Sequence, residues 1–168
     1  METKMLTEIG VTAALAFVLS LIRLYRRPNG GSITLEMVPL FYLAFRSGWK
    51  PAAWAGAVLG LLNLLGDAYV IHPLQLLLDY PLPFAVLGIA GVFSARPILG
   101  IVVASVGRLV IHTLAGVIFW ASYAPEGQNV WAYSIGYNAT FLVPQLVLTI
   151  IIMLVIMRTG LWSKERSE

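Results

Sequence analysis

The chain of 168 residues is far more apolar than a soluble protein, with 59% hydrophobic and 11% charged residues and a mean hydropathy of +0.84. Soluble domains contain about 25% charged residues, so this composition excludes an ordinary soluble domain and indicates one integral membrane domain over residues 1–168. The net charge of +3 comes without a basic stripe interleaved with aromatic residues, so no nucleic-acid partner is expected. The absence of cysteine excludes disulfides and thiolate metal sites.

Apolar runs separated by polar or basic turns predict an all-α membrane protein with six transmembrane helices that sits in the lipid bilayer. The predicted spans are 8–25, 33–46, 51–70, 73–93, 98–121 and 130–157. The first run could imitate a cleavable signal peptide, but its small residues lie in the middle of the run and not at its end. The second run is too short to cross a bilayer straight, so tilting, membrane thinning or burial among other helices must compensate.

Two of the predicted spans carry features of close helix contact or of a helix break. In the third span, Gly56 and Gly60 form a small-xxx-small contact face. In the fourth span, Asp79 and Tyr80 are followed directly by Pro81 and soon by a second proline. This pattern predicts a kinked or unwound segment, with freed backbone groups near a cavity.

Basic residues are unevenly distributed between the two ends of the predicted spans. Those on the side of the N-terminus are Lys4, Arg46, Lys50, Arg96, Arg158, Lys164 and Arg166. Those on the opposite side are Arg23, Arg26 and Arg27. Because cytoplasmic loops are enriched in Lys and Arg, both termini are predicted to be cytoplasmic. Acids and aromatic residues then gather in the outer half, which suits a flat cationic ligand, although Glu36 and Asp67 could be exposed to outer water.

His112, Gly116 and Trp120 follow one another at intervals of four residues in the fifth predicted helix. This spacing places an imidazole, a bare backbone position and an indole on one helix face, which we interpret as the wall of a binding pocket. If the last two helices form a hairpin, three polar residues of the sixth helix reach about the same depth: Tyr133, Tyr137 and Asn138. Tyr133 and Asn138 could instead provide interhelical hydrogen bonds, which are common in membrane proteins.

Asp79 is the strongest single indication of a site, because a carboxylate at membrane depth needs a partner or a ligand. It could instead form a structural ion pair with Arg108, and the two roles are compatible. His112 could be an interior hydrogen-bonded histidine, and Trp120 could belong to the aromatic belt of the membrane interface. The convergence of these groups favours a site that binds a solute.

No enzymatic signature is present in the sequence. The chain lacks HExxH, G-x-S-x-G and G-x-x-x-x-G-K-[ST], the usual motifs of metal-dependent hydrolysis, serine hydrolysis and ATP hydrolysis. His72 and His112 are the only histidines, too few for a histidine-built metal site. We therefore expect no catalytic residues, no metal and no cofactor. Uphill transport would then need a partner subunit or an ion gradient.

Six segments carry a resemblance to a known family. They are LTEIGVTAALAF at 6–17, GGSITLEMVPLF at 30–41, HPLQLLLDY at 72–80, LGIAG at 87–91, HTLAGVIFWASYAPEG at 112–127 and AYSIGYNAT at 132–140. The chain resembles the thiamine-specific substrate-binding (S) components of energy-coupling factor (ECF) vitamin transporters over nearly its whole length. The resemblance implies a six-helix cell-membrane protein that captures thiamine from outside with high affinity. It also implies transport only after docking with a transmembrane coupling subunit and two ATPase subunits.

The same resemblance implies binding roles for nine residues. Those expected to meet or approach the aminopyrimidine of thiamine are Asp79, Arg108, Tyr133 and Asn138. Those expected around the thiazolium are Tyr80, His112 and Trp120, with Gly116 leaving room and Tyr69 as a weaker match. The family position of Asp79 is often Glu, so the carboxylate of this chain is one methylene shorter.

Two further features of the family concern the first loop and the first helix. Some members carry a tryptophan lid in the first loop, where this chain has Gly30, Gly31 and Ser32, so a stacking lid is not supported and only a backbone lid is compatible. The family's small-xxx-small motif for docking the coupling subunit matches Gly10 and Ala14. The alternative role of these two residues is ordinary packing between helices of the same chain.

Two alternative functions retain part of this interpretation. The first is an S component for another vitamin or for a thiamine precursor such as the free pyrimidine moiety, which competition with thiamine fragments would distinguish. The second is a proton-coupled carrier that uses Asp79 and His112 as a proton relay. Uptake by this chain alone, driven by a pH gradient and indifferent to ATP, would indicate the carrier.

Overall fold

The computed structural model describes residues 3–27, 30–66 and 68–159, and these ranges are nearly all helical. The α-helices are α1 (Thr3–Leu21), α2 (Met37–Ser47), α3 (Trp49–Leu62), α4 (Pro73–Asp79), α5 (Pro81–Ala85), α6 (Pro97–Phe119) and α7 (Val130–Arg158). Three 3₁₀ segments continue or connect them: Asn63–Leu65, Val86–Phe93 and Ala121–Tyr123. Two short strands, β1 (Tyr25–Arg26) and β2 (Ser32–Ile33), lie in the first loop.

Four segments of the described ranges are long and apolar enough to cross a membrane, namely Thr3–Leu21, Pro73–Phe93, Pro97–Phe119 and Val130–Arg158. With 11 and 14 residues, α2 and α3 are shorter than the roughly 20 residues of a perpendicular crossing. Burial compensates for the short α2, whose side chains Leu40, Phe41 and Ala44 are completely buried. Of the three expected compensations, tilting, membrane thinning and burial, the structure shows burial among other helices.

Several predicted boundaries were wrong. α1 runs from Thr3 to Leu21, earlier than the predicted span 8–25. α2 begins only at Met37 because Ile33 is hydrogen-bonded in a strand, and α3 ends at Leu62 because the chain tightens there into a 3₁₀ turn. The predicted spans 33–46 and 51–70 therefore include non-helical residues, whereas the last two helices agree with their predicted spans within two residues.

The predicted helical architecture is confirmed, apart from a short two-stranded antiparallel sheet in the first loop. Tyr25 pairs with Ile33 and Arg26 with Ser32. Gly31 has a φ of 85°, a conformation that side chains disfavour, and its carbonyl accepts a hydrogen bond from the backbone N–H of Arg27 at 2.9 Å. This glycine lets the first loop fold back as a hairpin.

The helical interruption predicted after Asp79 is present. α4 ends at Asp79, Tyr80 has non-helical dihedral angles (φ −116°, ψ −82°), and α5 begins at Pro81. The pyrrolidine ring of a proline removes a backbone donor and disfavours the α conformation of the preceding residue. The prediction of a broken fourth span is therefore confirmed. The break lies at Asp79 and Tyr80, which are two of the candidate site residues.

Gly56 and Gly60 bring α3 into backbone contact with this interruption. A Cβ atom at Gly56 would overlap the backbone of Phe84, and one at Gly60 would overlap the backbone of Tyr80 and Pro81. The predicted small-xxx-small contact face is thus confirmed. It fixes the position of the break against α3.

Candidate ligand-binding site

A cavity of about 550 Å³ opens among α1, the first-loop hairpin, α4, α6 and α7. It is lined by all nine residues that the sequence predicted as ligand contacts: Tyr69, Asp79, Tyr80, Arg108, His112, Gly116, Trp120, Tyr133 and Asn138. The structure therefore brings together residues that are up to 69 positions apart in the chain. Their contact with a ligand remains a prediction.

The carboxylate of Asp79 is held by two donors. Gln75, one turn earlier on α4, donates from Nε2 to Oδ2 at 2.6 Å, and the indole of Trp120 donates to the same oxygen at 3.2 Å. The other oxygen, Oδ1, lies 3.9 Å from Nδ1 of His112. Asp79 is thus oriented inside the cavity by polar neighbours from both α4 and the end of α6.

Arg108 pairs with Glu36, and the proposed structural pair between Asp79 and Arg108 was wrong. Nη2 of Arg108 lies 3.2 Å from Oε1 of Glu36, and the two residues are only 4% and 5% exposed. Glu36 directly precedes the buried helix α2, which explains why the suggestion that it faces outer water was also wrong. The same suggestion expected Asp67 to be exposed to outer water, but Asp67 lies outside the described residues.

The Glu36–Arg108 pair has further buried support. Gln145 of α7 donates from Nε2 to Thr34 Oγ1 at 2.9 Å and to Glu36 Oε1 at 3.4 Å. The Arg108 guanidinium also lies 4.2 Å from the centre of the Phe84 ring. Its Nη1 has no hydrogen-bond partner among the described residues, although Arg108 lines the cavity. One donor of this buried guanidinium is therefore unpaired among the described residues.

Helices α6 and α7 form the predicted hairpin and are joined by two hydrogen bonds from α7 to α6. Ser134 donates to the carbonyl of Thr113 at 3.0 Å. The Asn138 amide nitrogen donates to the carbonyl of Ser134 at 2.9 Å and to that of His112 at 3.4 Å. Asn138 thus provides the interhelical contact considered as its alternative role, while also lining the cavity.

Gly116 lies at a close contact between α6 and α7 beside the cavity. A Cβ atom there would overlap Oγ of Ser134, so Gly116→Ala is expected to destabilise the protein by about 1–3 kcal/mol through overpacking. The measurement is the thermal unfolding midpoint in detergent. Ser134→Gly removes the obstructing side chain, so adding Gly116→Ala to that variant should lower the midpoint much less. An unchanged midpoint in the single variant Gly116→Ala would contradict this packing.

Aromatic rings form the wall of the cavity beside Asp79. Tyr69 and Trp120 lie 5.8 Å apart between ring centres, and Trp120 and Tyr123 lie 6.1 Å apart. The backbone N–H of Tyr69 donates to the hydroxyl of Tyr80 at 2.9 Å, which ties the segment before α4 to the helix break. Three aromatic side chains of the cavity lining, Tyr69, Trp120 and Tyr123, thus lie next to one another.

The first loop packs against α7 at the edge of the cavity. Tyr137 donates from its hydroxyl to the carbonyl of Gly30 at 2.8 Å, and Arg27 donates to Thr140 Oγ1 at 2.6 Å. The Arg27 guanidinium lies 4.3 Å from the centre of the Tyr137 ring, and Gly31 fits against the ring of Phe141. The backbone of Gly30 and Gly31 lines the cavity, an arrangement compatible with a backbone lid.

Two contributors to this site, Glu36 and Gln75, were not predicted as site residues. The partner of Glu36 is 72 positions away, and no sequence periodicity connects them. Gln75 did carry a signal: a polar residue four positions before Asp79 on an apolar helix faces the same side. In the described part of the chain, no group of three His, Cys, Asp or Glu side chains could hold a metal ion.

The two residues considered for docking lie away from the cavity. Gly10 and Ala14 are on the exposed face of α1, and Gly10 has open space beside its Cα. The buried face of this helix is formed by Ile9, Ala13 and Ala16. The alternative that Gly10 and Ala14 pack against another helix of the same chain was therefore wrong.

A cavity lined by a carboxylate, a guanidinium and aromatic rings inside a bundle of membrane-length helices defines a membrane protein that binds a small solute. A family profile described as "Thiamine transporter protein" matches residues 6–163 of this chain. The chain belongs to this thiamine transporter protein family. It is accordingly a multi-pass protein of the cell membrane and a transport protein, not an enzyme.

Individual relatives agree with this assignment over most of their length. The chain is 33% identical over 174 residues to the thiamine transporter ThiT of Bacillus subtilis (strain 168), covering 92% of this chain and 91% of the relative. It is 34% identical to the thiamine transporter ThiT of Lacticaseibacillus paracasei, with coverage of 87% and 83%. A solved structure of ThiT from Listeria monocytogenes matches with a TM-score of 0.84 and 31% identity, covering 92% and 93% of the two chains. The resemblance to thiamine S components is confirmed.

Proposed function

We propose that this chain is the high-affinity thiamine-binding S component of an ECF transporter and captures thiamine from the outer side of the membrane. The observation that carries the proposal is the cavity lined by all nine candidate residues, with the Asp79 carboxylate among aromatic rings. The thiamine transporter relatives support the same ligand.

One acid of the cavity lining is available to an organic cation. Arg108 and Glu36 neutralise each other at 3.2 Å, so Asp79 is the acid left to attract a cationic ligand, while Arg23 and Arg26 also line the cavity. Each ring contact with a cation contributes about 0.5–2 kcal/mol, whereas nanomolar affinity needs about 12 kcal/mol. High affinity therefore requires Asp79, the rings and the polar groups of α6 and α7 to act together in a dehydrated cavity.

The titration that tests this function follows tryptophan fluorescence while thiamine is added to the detergent-purified chain. Saturable quenching at nanomolar to low micromolar thiamine is expected, and Trp120→Phe should remove most of the signal because Trp120 lines the cavity. Trp131→Phe is the matched control, since Trp131 is 51% exposed and is expected to belong to the interfacial belt. No calorimetric response from folded protein would overturn thiamine as the ligand.

We further propose six membrane spans with both termini in the cytoplasm. The excess of Lys and Arg on the N-terminal side of the predicted spans supports this orientation. The short helices α2 and α3 would be the second and third spans. Most of α2 is buried, whereas α3 packs one face closely against α5 through its glycines and leaves Trp54 and Leu61 exposed. The cavity would then open to the outside beside the first-loop hairpin.

Docking to a transmembrane coupling subunit that works with two ATPase subunits is proposed to use Gly10 and Ala14. Because these small residues leave an exposed strip on α1, a partner helix could approach closely there. Gly10→Leu combined with Ala14→Leu should abolish co-purification with the coupling subunit and ATP-dependent uptake, while thiamine affinity of the isolated chain stays unchanged.

The matched control for this docking prediction is Gly136→Leu. Gly136 is also an exposed helical glycine, and a Cβ atom added to it would meet no other atom within 4 Å, but it lies on α7. This variant should still assemble with the coupling subunit. Retained assembly in the Gly10/Ala14 double variant would contradict the docking role.

The proton-coupled carrier is a second candidate, supported by one contact. Nδ1 of His112 lies 3.9 Å from Oδ1 of Asp79, a distance that a small movement would convert into a proton-transfer path. This function predicts thiamine uptake into liposomes that contain the chain alone and carry a pH gradient. The ECF proposal predicts uptake only with the coupling and ATPase subunits and ATP.

An S component for another vitamin or for a thiamine precursor would be preferred if that compound displaced thiamine at lower concentration.

A further inference from the structure

Gln75 is the most deeply buried polar side chain around Asp79, with 1% of its surface exposed. Its amide nitrogen donates to Asp79 Oδ2 at 2.6 Å and to the carbonyl of Tyr69 at 3.1 Å. Its amide oxygen accepts a hydrogen bond from the backbone N–H of Ile71 at 3.1 Å. Both amide donors and the amide oxygen are therefore engaged.

The surroundings of Gln75 fix the orientation of its amide. Rotation by 180° would place the amide oxygen against the Asp79 carboxylate and the Tyr69 carbonyl, and the amide nitrogen against the N–H of Ile71. Every contact would then join two acceptors or two donors. Since buried polar groups without partners are strongly unfavourable, only the observed orientation is stable.

This amide joins two parts of the cavity wall that carry candidate ligand contacts. One part is the segment 68–72, where the ring of Tyr69 packs on Trp120 and the backbone N–H of Tyr69 donates to the hydroxyl of Tyr80. The other part is the end of α4, where Trp120 and Gln75 bind the same oxygen of Asp79. With Oδ2 held by both donors, Oδ1 is directed to the side of His112.

We propose that Gln75 is a positioning residue for thiamine binding, which orients Asp79 and locks the segment 68–72 against it. The inference rests on the proposed thiamine-binding function and adds a residue that acts through Asp79 without needing to be a main ligand contact itself. Its energetic effect should therefore depend on the presence of the Asp79 carboxylate.

A double-mutant cycle of thiamine affinity tests this dependence. Gln75→Met keeps the side-chain length but removes all three hydrogen bonds, and it is expected to weaken binding by about five- to tenfold. In the Asp79→Ala background the same substitution should cost clearly less, about two- to threefold, because only the hydrogen bonds to segment 68–72 remain to be lost. A residue that only stabilises the fold would give equal losses in both backgrounds, and that result would overturn the proposal.

Two further variants keep the test decisive. Leu77→Met, at a 51% exposed position of the same helix, should leave thiamine affinity unchanged and serves as the control for the introduced methionine. If Gln75→Met does not fold, Gln75→Glu takes its place in the cycle, because the carboxylate repels Asp79 and its effect should shrink in Asp79→Ala to the part caused by the Tyr69 carbonyl. Wild-type affinity in both Gln75 variants would overturn the positioning role alone, whereas absence of thiamine binding by the wild-type chain would overturn the proposed function and this role with it.

Discussion

Thiamine affinity should fall at least about tenfold, equivalent to about 1.4 kcal/mol, when Asp79 is replaced by alanine. The substitution removes the carboxylate that faces the cavity between Trp120 and His112, and with it the attraction for a cationic ring. Asp79→Asn keeps the shape of the side chain but not its charge, so it should lose most of the same affinity. The measurement is isothermal calorimetry on the detergent-purified chain.

Glu126→Ala is the matched control for this loss. Glu126 is another acid of the membrane-proximal region, but it is exposed in the loop after α6 and does not line the cavity. Its removal should leave thiamine affinity unchanged. Equal affinities for wild type and Asp79→Ala would refute the assignment of this carboxylate to the ligand site.

Glu36→Leu is expected to be the most destabilising single substitution in the cavity wall. It leaves the Arg108 guanidinium buried without its carboxylate partner, and breaking a buried pair in this way costs about 3–5 kcal/mol. The thermal unfolding midpoint in detergent should drop sharply, and much of the protein should aggregate during purification.

Removal of both charges should be less harmful than removal of one. In Glu36→Leu combined with Arg108→Met, no unpaired charge remains, so the unfolding midpoint should recover most of the loss. Thiamine affinity should not recover, because Arg108 itself lines the cavity and is one of the proposed ligand contacts. A double variant as unstable as Glu36→Leu would show that the pair is not the cause of the destabilisation.

The parts of the site that depend on local sequence were predictable. The spacing of His112, Gly116 and Trp120 follows from helix periodicity, and Pro81 predicts the break after Tyr80 because a proline removes a donor and restricts its predecessor. Tyr80, His112, Gly116 and Trp120 all line the same cavity. An acid within an apolar run also signals a buried polar environment, as Asp79 does.

The parts that depend on distant partners were not predictable. In a helix bundle, Arg108 could pair with either Asp79 or Glu36. Only the three-dimensional packing of α2 decides that it pairs with Glu36. The first-loop hairpin contains only two residues in each strand, too few for a periodic pattern. The observed ends of α1 and α3 come earlier than the predicted ones. The sequence remains apolar beyond the residues where the backbone leaves the helix, so composition alone does not mark these ends.

The glycine contacts of α3 bear on how ligand preference could be changed in this protein. Because the backbones of α3 and α5 touch at Gly56 and Gly60, no side chain can act there as a spacer that widens or narrows the cavity. A change of preference to a ligand with a different ring system would have to come from substitutions of side chains in the cavity wall. The helix backbones would keep their positions. Closely similar backbones with different selectivities are the expected evolutionary outcome of such a contact.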